Sequence, residues 1–146
     1  MFTRFVVILL LFITGSTMSF AQCTDFVNQN CLDKFEEFVY DGNVSLTELK
    51  EGDTAELFKT FFSGQTYRMV ICKSDKLPPI RIKVVNAEGV ILFDNKDHNY
   101  QEIWDFAVKG TQKMIVQLEV LEDKSVSTSD NTECVAILFG IDKEKK

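Results

Sequence analysis

Apolar and polar residues alternate along most of the chain after residue 54. In residues 80–84, for example, two isoleucines and a valine alternate with Arg81 and Lys83. A period of two with β-branched residues is typical of a strand that buries one face. Similar patterns predict further strands, which we place at residues 54–62, 65–73, 90–93, 104–108 and 114–120.

The last patterned segment, residues 134–141, is apolar on both faces. Such a strand belongs inside a sheet or beneath a second layer. Glycines such as Gly52, Gly64 and Gly89 mark short turns between the predicted strands. About seven or eight short strands without long intervening helices predict an all-β fold, a two-layer antiparallel β-sandwich or jelly roll.

One short helix is expected before the strands begin. Cys31, Phe35 and Phe38 recur at the i, i+4, i+7 spacing of one helix face. This spacing predicts one short N-terminal helix within residues 23–39. Either this helix starts near residue 31, or Cys23 and Cys31 each bond to another cysteine. The Asp-Gly-Asn sequence at residues 41–43 then favours a turn.

The first residues have the layout of a secretory signal peptide. Arg4 precedes an apolar run over residues 5–13, and small polar residues follow the run. The run is shorter than the roughly 20 apolar residues of a membrane-spanning helix. We therefore expect a signal peptide at residues 1–21 rather than an uncleaved anchor.

The predicted cleavage site lies between Ala21 and Gln22, with Ser19 at the −3 position. Cleavage there leaves residues 22–146, about 125 residues, which is the size of one domain. We expect this single domain to be periplasmic or secreted, with no membrane insertion after cleavage.

The four cysteines Cys23, Cys31, Cys72 and Cys134 predict two disulfides in an exported chain. They form no Cys-x-x-Cys pair and the chain has one histidine, so a zinc site is not expected. Cys23 and Cys31 would lie about 12 Å apart on one straight helix, too far to bond. Three pairings are possible. We favour Cys72–Cys134, because these two residues lie side by side if their strands are antiparallel neighbours.

The chain is acidic, with a net charge of −6 and acidic residues spread along its length. Phosphate contacts need basic patches, so we expect no nucleic-acid partner. The single histidine, His98, has no G-x-S-x-G segment to form a nucleophilic centre with. We therefore expect that the chain is not an enzyme. A glycosidase built on two carboxylates is the catalytic alternative.

One polar loop is a candidate metal site. Asp94, Asn95, Asp97 and Asn99 provide closely spaced oxygen donors, which are the ligands that Ca²⁺ prefers. The EF-hand pattern is absent, because no glycine occupies its sixth position. The same residue types also populate ordinary turns. We expect no cofactor apart from this calcium candidate.

Two groups of aromatic residues bear on binding. Trp104 alternates in step with apolar residues, which predicts a core position; the alternative is a sugar-stacking surface shared with Tyr100. Phe61 and Phe62 must point to opposite faces of one strand. We expect the outward one to be buried beneath the N-terminal helix.

Four segments and their order along the chain carry a resemblance to other proteins: TFFSGQTYRMVIC at residues 60–72, ILFDN at 91–95, WDFAV at 104–108 and ECVAILFG at 133–140. In these segments the chain resembles a group of small, uncharacterised exported proteins of Gram-negative bacteria, and the resemblance covers most of its mature length. It is more loosely similar to jelly-roll modules such as the pre-peptidase C-terminal domain and the Golgi-dynamics (GOLD) domain. These resemblances imply a non-catalytic binding or accessory sandwich, and they assign a role to no residue.

Together these patterns favour an exported, non-catalytic binding or protein-interaction module of the cell envelope. Its partner is expected to be an envelope protein or a glycan. The alternatives are a small secreted enzyme, an enzyme inhibitor, or a self-assembling structural component of the envelope.

Overall fold

The computed structural model describes residues 18–123 and 131–144, with side chains from residue 21 onward. An α-helix, α1 (Met18–Asn30), and a 3-10 helix (Leu32–Phe35) come before the strands, and a second 3-10 helix (Asn95–His98) follows the fifth strand. The strands are β1 (Phe38–Leu49), β2 (Thr54–Phe61), β3 (Thr66–Lys73), β4 (Ile80–Asn86), β5 (Ile91–Asp94), β6 (Ile103–Ala107), β7 (Gln112–Val120) and β8 (Glu133–Asp142).

The strands form two antiparallel four-stranded sheets. Sheet A has the order β1-β8-β3-β6, and sheet B has the order β2-β7-β4-β5. The predicted all-β, two-layer sandwich with one N-terminal helix is therefore confirmed. Strands β2 to β8 begin and end within two residues of their predicted positions.

The inner faces of the two sheets enclose the main core. In β4, Ile80, Ile82 and Val84 are at most 2% exposed, whereas Arg81 and Lys83 lie on the other face. Burying an aliphatic side chain of this kind contributes about 1.5–3 kcal/mol. The alternation read from the sequence thus reports which face of each strand meets the opposite sheet.

The outer face of sheet A carries a second, smaller core. Val27 of α1 and Phe35 of the first 3-10 helix pack against this face in one cluster with Val70 of β3 and Leu138 of β8. Strand β8 lies inside sheet A and is covered on both of its faces. This double burial explains why its sequence is apolar on both faces.

The N-terminal helix lies earlier in the chain than the apolar spacing predicts. Helix α1 ends at Asn30, and Phe38 already starts β1. Between them Glu36 has a φ of 50°, which no helix accommodates. Cys31, Phe35 and Phe38 nevertheless share the second core. Their spacing therefore reflects burial in the same core, although the three residues do not belong to one continuous helix.

The turn predicted at residues 41–43 is a bulge inside β1. The pairing of β1 with β8 shifts register between Tyr40 and Val44, and Gly42 has a φ of 81°. A bulge takes residues out of the ladder without ending the strand. Strand β1 therefore continues beyond the turn signal.

Phe61 and Phe62 point to opposite faces, as predicted. Phe61 is 1% exposed and Phe62 is 61% exposed. The expectation that the N-terminal helix buries the outward residue is wrong, because that helix packs on sheet A, whereas Phe61 ends β2 of sheet B and Phe62 follows it.

The predicted Cys72–Cys134 bridge is also wrong. The structure joins Cys23 to Cys134 and Cys31 to Cys72. Strands β3 and β8 are neighbours, but Cys72 lies opposite Ala136. Cys134 is therefore a diagonal neighbour, and diagonal positions are about 7–8 Å apart, beyond the usual span of a disulfide. Each strand cysteine bonds instead to the N-terminal segment that covers this face.

Helix α1 contains the predicted cleavage site between Ala21 and Gln22. Residues 1–17 of the predicted signal peptide lie outside the described residues, so the signal peptide stays a prediction. Cleavage before Gln22 would retain Cys23 and its disulfide to β8. The helices that the structure describes include none with the length and apolar character needed to cross a membrane.

Gly140 of β8 is a position that excludes any side chain. A Cβ atom there would lie 2.6 Å from Cδ1 of Phe35 and 3.1 Å from the backbone oxygen of Val39. We expect Gly140→Ala to lower the free energy of unfolding by about 1–3 kcal/mol, the usual cost of overpacking. Urea denaturation measures this loss. Gly110→Ala is the control, because a Cβ atom at Gly110 meets nothing within 4 Å. Equal stability of the two variants would contradict the tight contact.

Candidate functional site: the open face of sheet B

Sheet B turns one face to the core and the other outward, and we call the outward face the open face. Strand registers arrange its residues in rows that cross β2, β7, β4 and β5. One row is apolar and is called here the apolar stripe: Phe58, Ile115, Val85 and Ile91. The two rows beside it are polar: Glu56, Gln117, Lys83 and Asp94, followed by Thr54, Glu119 and Arg81.

The ends of the apolar stripe are its most exposed parts. Phe58 and Ile91 are each 55% exposed. The register between β4 and β5 shifts beside Val85, and the extra residue, Leu92, is also exposed. Apolar residues gathered in this way on one face make it a candidate interaction surface.

Charged residues border the apolar stripe on both sides. On one side, the Nζ atom of Lys113 lies 5.5 Å from the centroid of the Phe58 ring. On the other side lie the two polar rows, the nearer of which contains Lys83. An apolar centre with a polar rim is the usual anatomy of a protein interface.

The polar rows are linked by hydrogen bonds and ion pairs. Arg81 donates from Nη2 to Asp94 at 2.6 Å and from Nε at 3.2 Å, and its Nη1 lies 4.0 Å from a carboxylate oxygen of Glu119. Gln117 donates to Glu56 at 2.7 Å. These rows line a shallow pocket of about 290 Å³ beside the apolar stripe.

The contact with Arg81 sets the charge of Asp94. Hydrogen bonds from Arg81 lower the pKa of Asp94, and the backbone N–H of Lys96 lowers it further, although burial acts in the opposite direction. The hydrogen bond with Asp94 in turn raises the pKa of Arg81. Both groups are therefore charged at neutral pH.

The apolar stripe was not predicted from the sequence, although some of its members break the pattern of their own strands. In β2, Phe58 occupies an outward position in line with Thr54 and Glu56. In β7, Ile115 alternates with Lys113 and Gln117 in the same way. One such exception in a strand is ordinary. Only the strand pairing reveals that the exceptions align into one row.

Two residues of the predicted calcium loop have structural partners. Asp94 forms the ion pair described above. Asn95 is fully buried, and its Oδ1 accepts a hydrogen bond from the backbone N–H of Ile82 at 2.7 Å. Its Nδ2 donates to the backbone oxygens of Ile80 at 2.9 Å and Gln101 at 3.0 Å. Asn95 therefore fastens the loop to β4.

The other two residues, Asp97 and Asn99, are exposed. Asn99 ends the second 3-10 helix with a φ of 53°. Among the described residues, the structure brings no three His, Cys, Asp or Glu side chains together as a metal-binding group. Calcium binding at this loop stays a prediction.

Trp104 lies in a column of stacked rings between β5 and β6. Its indole stacks with Phe93 at 4.5 Å and with Phe106 at 4.1 Å between ring centroids, and His98 stacks on Phe93 at 5.5 Å. Trp104 is partly buried against the main core. Because two rings stack on the indole, it offers little area on which a sugar ring could stack.

Comparison with known proteins gives a structural neighbour and no sequence relative. No family model matches the chain, and no curated protein matches its sequence. The fold is similar to the crystal structure of PliG from Aeromonas hydrophila, a periplasmic inhibitor of g-type lysozyme, with a TM-score of 0.50. The match covers 68% of this chain and 84% of that chain at 13% sequence identity. At this identity, the likeness establishes a shared fold.

We expect Asp94→Asn to lower the free energy of unfolding by about 1 kcal/mol near neutral pH, because Arg81 loses its closest carboxylate. The lowered pKa means that the ionised carboxylate stabilises the fold above its unfolded pKa, and that this contribution is lost as the pH falls through the folded pKa. The difference between wild type and variant should therefore shrink as the pH is lowered from 7 to below about 3.9, the pKa of an unfolded aspartate. Denaturant titrations across this pH range measure it, with Asp97→Asn as the control. A difference that does not change with pH would show that the ion pair is not its source.

Proposed function

We propose that this chain is an extracytoplasmic protein-binding module that inhibits an enzyme, and that it binds this enzyme through the open face of sheet B. The observation that carries the proposal is the apolar stripe, which ends in Phe58 and Ile91 and is bordered by charged residues. Two disulfides within the chain support an extracytoplasmic location, since disulfides persist in oxidising compartments.

The open face is suited to a protein partner because it is broad and rigid. Its side chains stand on four hydrogen-bonded strands, so little backbone entropy is lost when a partner binds. Aromatic side chains such as Phe58 are enriched in the buried part of protein interfaces. A glycan is less well matched, because the indole of Trp104 is already stacked between aromatic side chains.

The fold shared with a periplasmic inhibitor of g-type lysozyme supports an enzyme as the partner. A lysozyme is therefore the enzyme class to test first. Inhibition requires no chemistry from this chain. It requires only that the enzyme's substrate cleft be covered or its closure blocked by a tightly bound surface.

The test is an inhibition assay with g-type lysozyme on cell-wall substrate, using the disulfide-bonded protein in molar excess. We expect inhibition by the wild type. Phe58→Glu and Ile91→Glu should each weaken inhibition by at least about tenfold, because each places a charge where apolar area must be desolvated.

Val44→Glu is the matched control. Val44 is 37% exposed and lies on β1 of sheet A, away from the open face. It should inhibit as the wild type does, and thermal unfolding should confirm that all three variants are folded. Lysozyme activity that is unaffected by the wild type would overturn the choice of enzyme. Full inhibition by both open-face variants would overturn the choice of surface.

A further inference from the structure

The open face matches a second copy of itself. Its strands follow the order β2, β7, β4, β5, and the apolar stripe crosses all four of them. A two-fold axis parallel to the strands, lying in the plane between two facing sheets, exchanges β2 with β5 and β7 with β4. This operation lays the apolar stripe of one copy on that of the other. Phe58 of each copy then faces Ile91 of its partner.

The charges agree with the same operation. Glu119 on β7 and Arg81 on β4 share one row, so the two-fold axis places Glu119 of each copy over Arg81 of the other. The Glu119 side chain is 52% exposed and lies 4.0 Å from Arg81 in its own chain. It can therefore join a four-member charge cluster with two arginines. Glu56 would approach Asp94 of the other copy, and this like-charge contact works against the association, although Asp94 is paired with Arg81 of its own chain.

The available area is that of a weak dimer. Strands β2, β7 and β4 are about 23–30 Å long and β5 is about 13 Å long, so at a spacing of about 4.8 Å they give a face of roughly 440 Å² per copy. Two copies would bury about 900 Å², which lies in the range of weak, transient complexes. Sheets that pack face to face with nearly aligned strands are a common arrangement in proteins.

We propose that two copies of this chain associate through their open faces about this two-fold axis. The association does not depend on the proposed function. The association has one consequence for the proposed function. The dimer hides the apolar stripe, so an enzyme that binds the stripe must compete with the second copy.

Sedimentation velocity tests the association from about 1 to about 200 µM, since dimerisation follows mass action. We expect the wild type to convert from monomer to dimer across this range. Glu119→Arg should raise the dimer dissociation constant at least tenfold, because it places an arginine over Arg81 of the other copy. Glu37→Arg makes the same charge change at an exposed position outside sheet B and should leave the constant unchanged.

Photo-crosslinking tests the geometry without weakening the fold. We place p-benzoylphenylalanine at Phe58, mix isotopically light and heavy protein, and map the adducts by mass spectrometry. Adducts that join light and heavy chains should fall on residues 90–92. The same reagent at Val44 should give none there.

A sedimentation coefficient that remains monomeric over the whole range overturns the proposal. Adducts of residue 58 with residue 58, or with sheet A, overturn the two-fold axis given above, as does an unchanged dissociation constant for Glu119→Arg. Lysozyme is absent from both experiments, so this proposal and the inhibitory function can fail independently.

Discussion

The attachment of the N-terminal segment to the outer face of sheet A makes the sandwich asymmetric. Cys23 and Cys31 bond this segment to β8 and β3. Arg68 of β3 connects the same segment to β6. It donates two hydrogen bonds of 2.8 Å to Asp105 of β6 and one of 3.0 Å to the backbone oxygen of Lys34. A buried arginine is stable only when its donors are paired in this way. Sheet A is thereby closed on its outer face, whereas the open face of sheet B keeps exposed apolar residues.

This asymmetry separates the side chains that stabilise the fold from the proposed binding surface. The main core and the second core bury the side chains that hold the two sheets and the helix together. Each native disulfide in a small exported domain adds about 2–4 kcal/mol by restricting the unfolded chain. The apolar stripe lies outside both cores. Its exposed ends contribute little to folding, and they form the surface through which we propose that the chain binds.

A sandwich of this kind can serve many functions, and residues on its surface decide between them. The likeness to a lysozyme inhibitor concerns the backbone arrangement alone at 13% identity. The open face adds what the backbone cannot supply: a row of apolar side chains at a known place, with Lys113 and Lys83 on either side. Self-association and partner binding would draw on the same row, because desolvating apolar area drives both.

Strands β2 to β8 and the sandwich class could be predicted from the sequence alone, because burial of one face imposes a period of two on a strand and burial of both faces makes β8 continuously apolar. It did not reveal β1, where the bulge at Gly42 imitates a turn. It also could not determine the disulfide partners, since the distance between Cys72 and Cys134 depends on strand register and on the path of the N-terminal segment. Phe58 and Ile115 were visible in the sequence as isolated exceptions to alternation, whereas Ile91 lies in a continuous apolar run and faces outward only because the register shifts beside it. Strand pairing in the folded protein places these residues on one surface, because it makes neighbours of residues that are far apart in the chain.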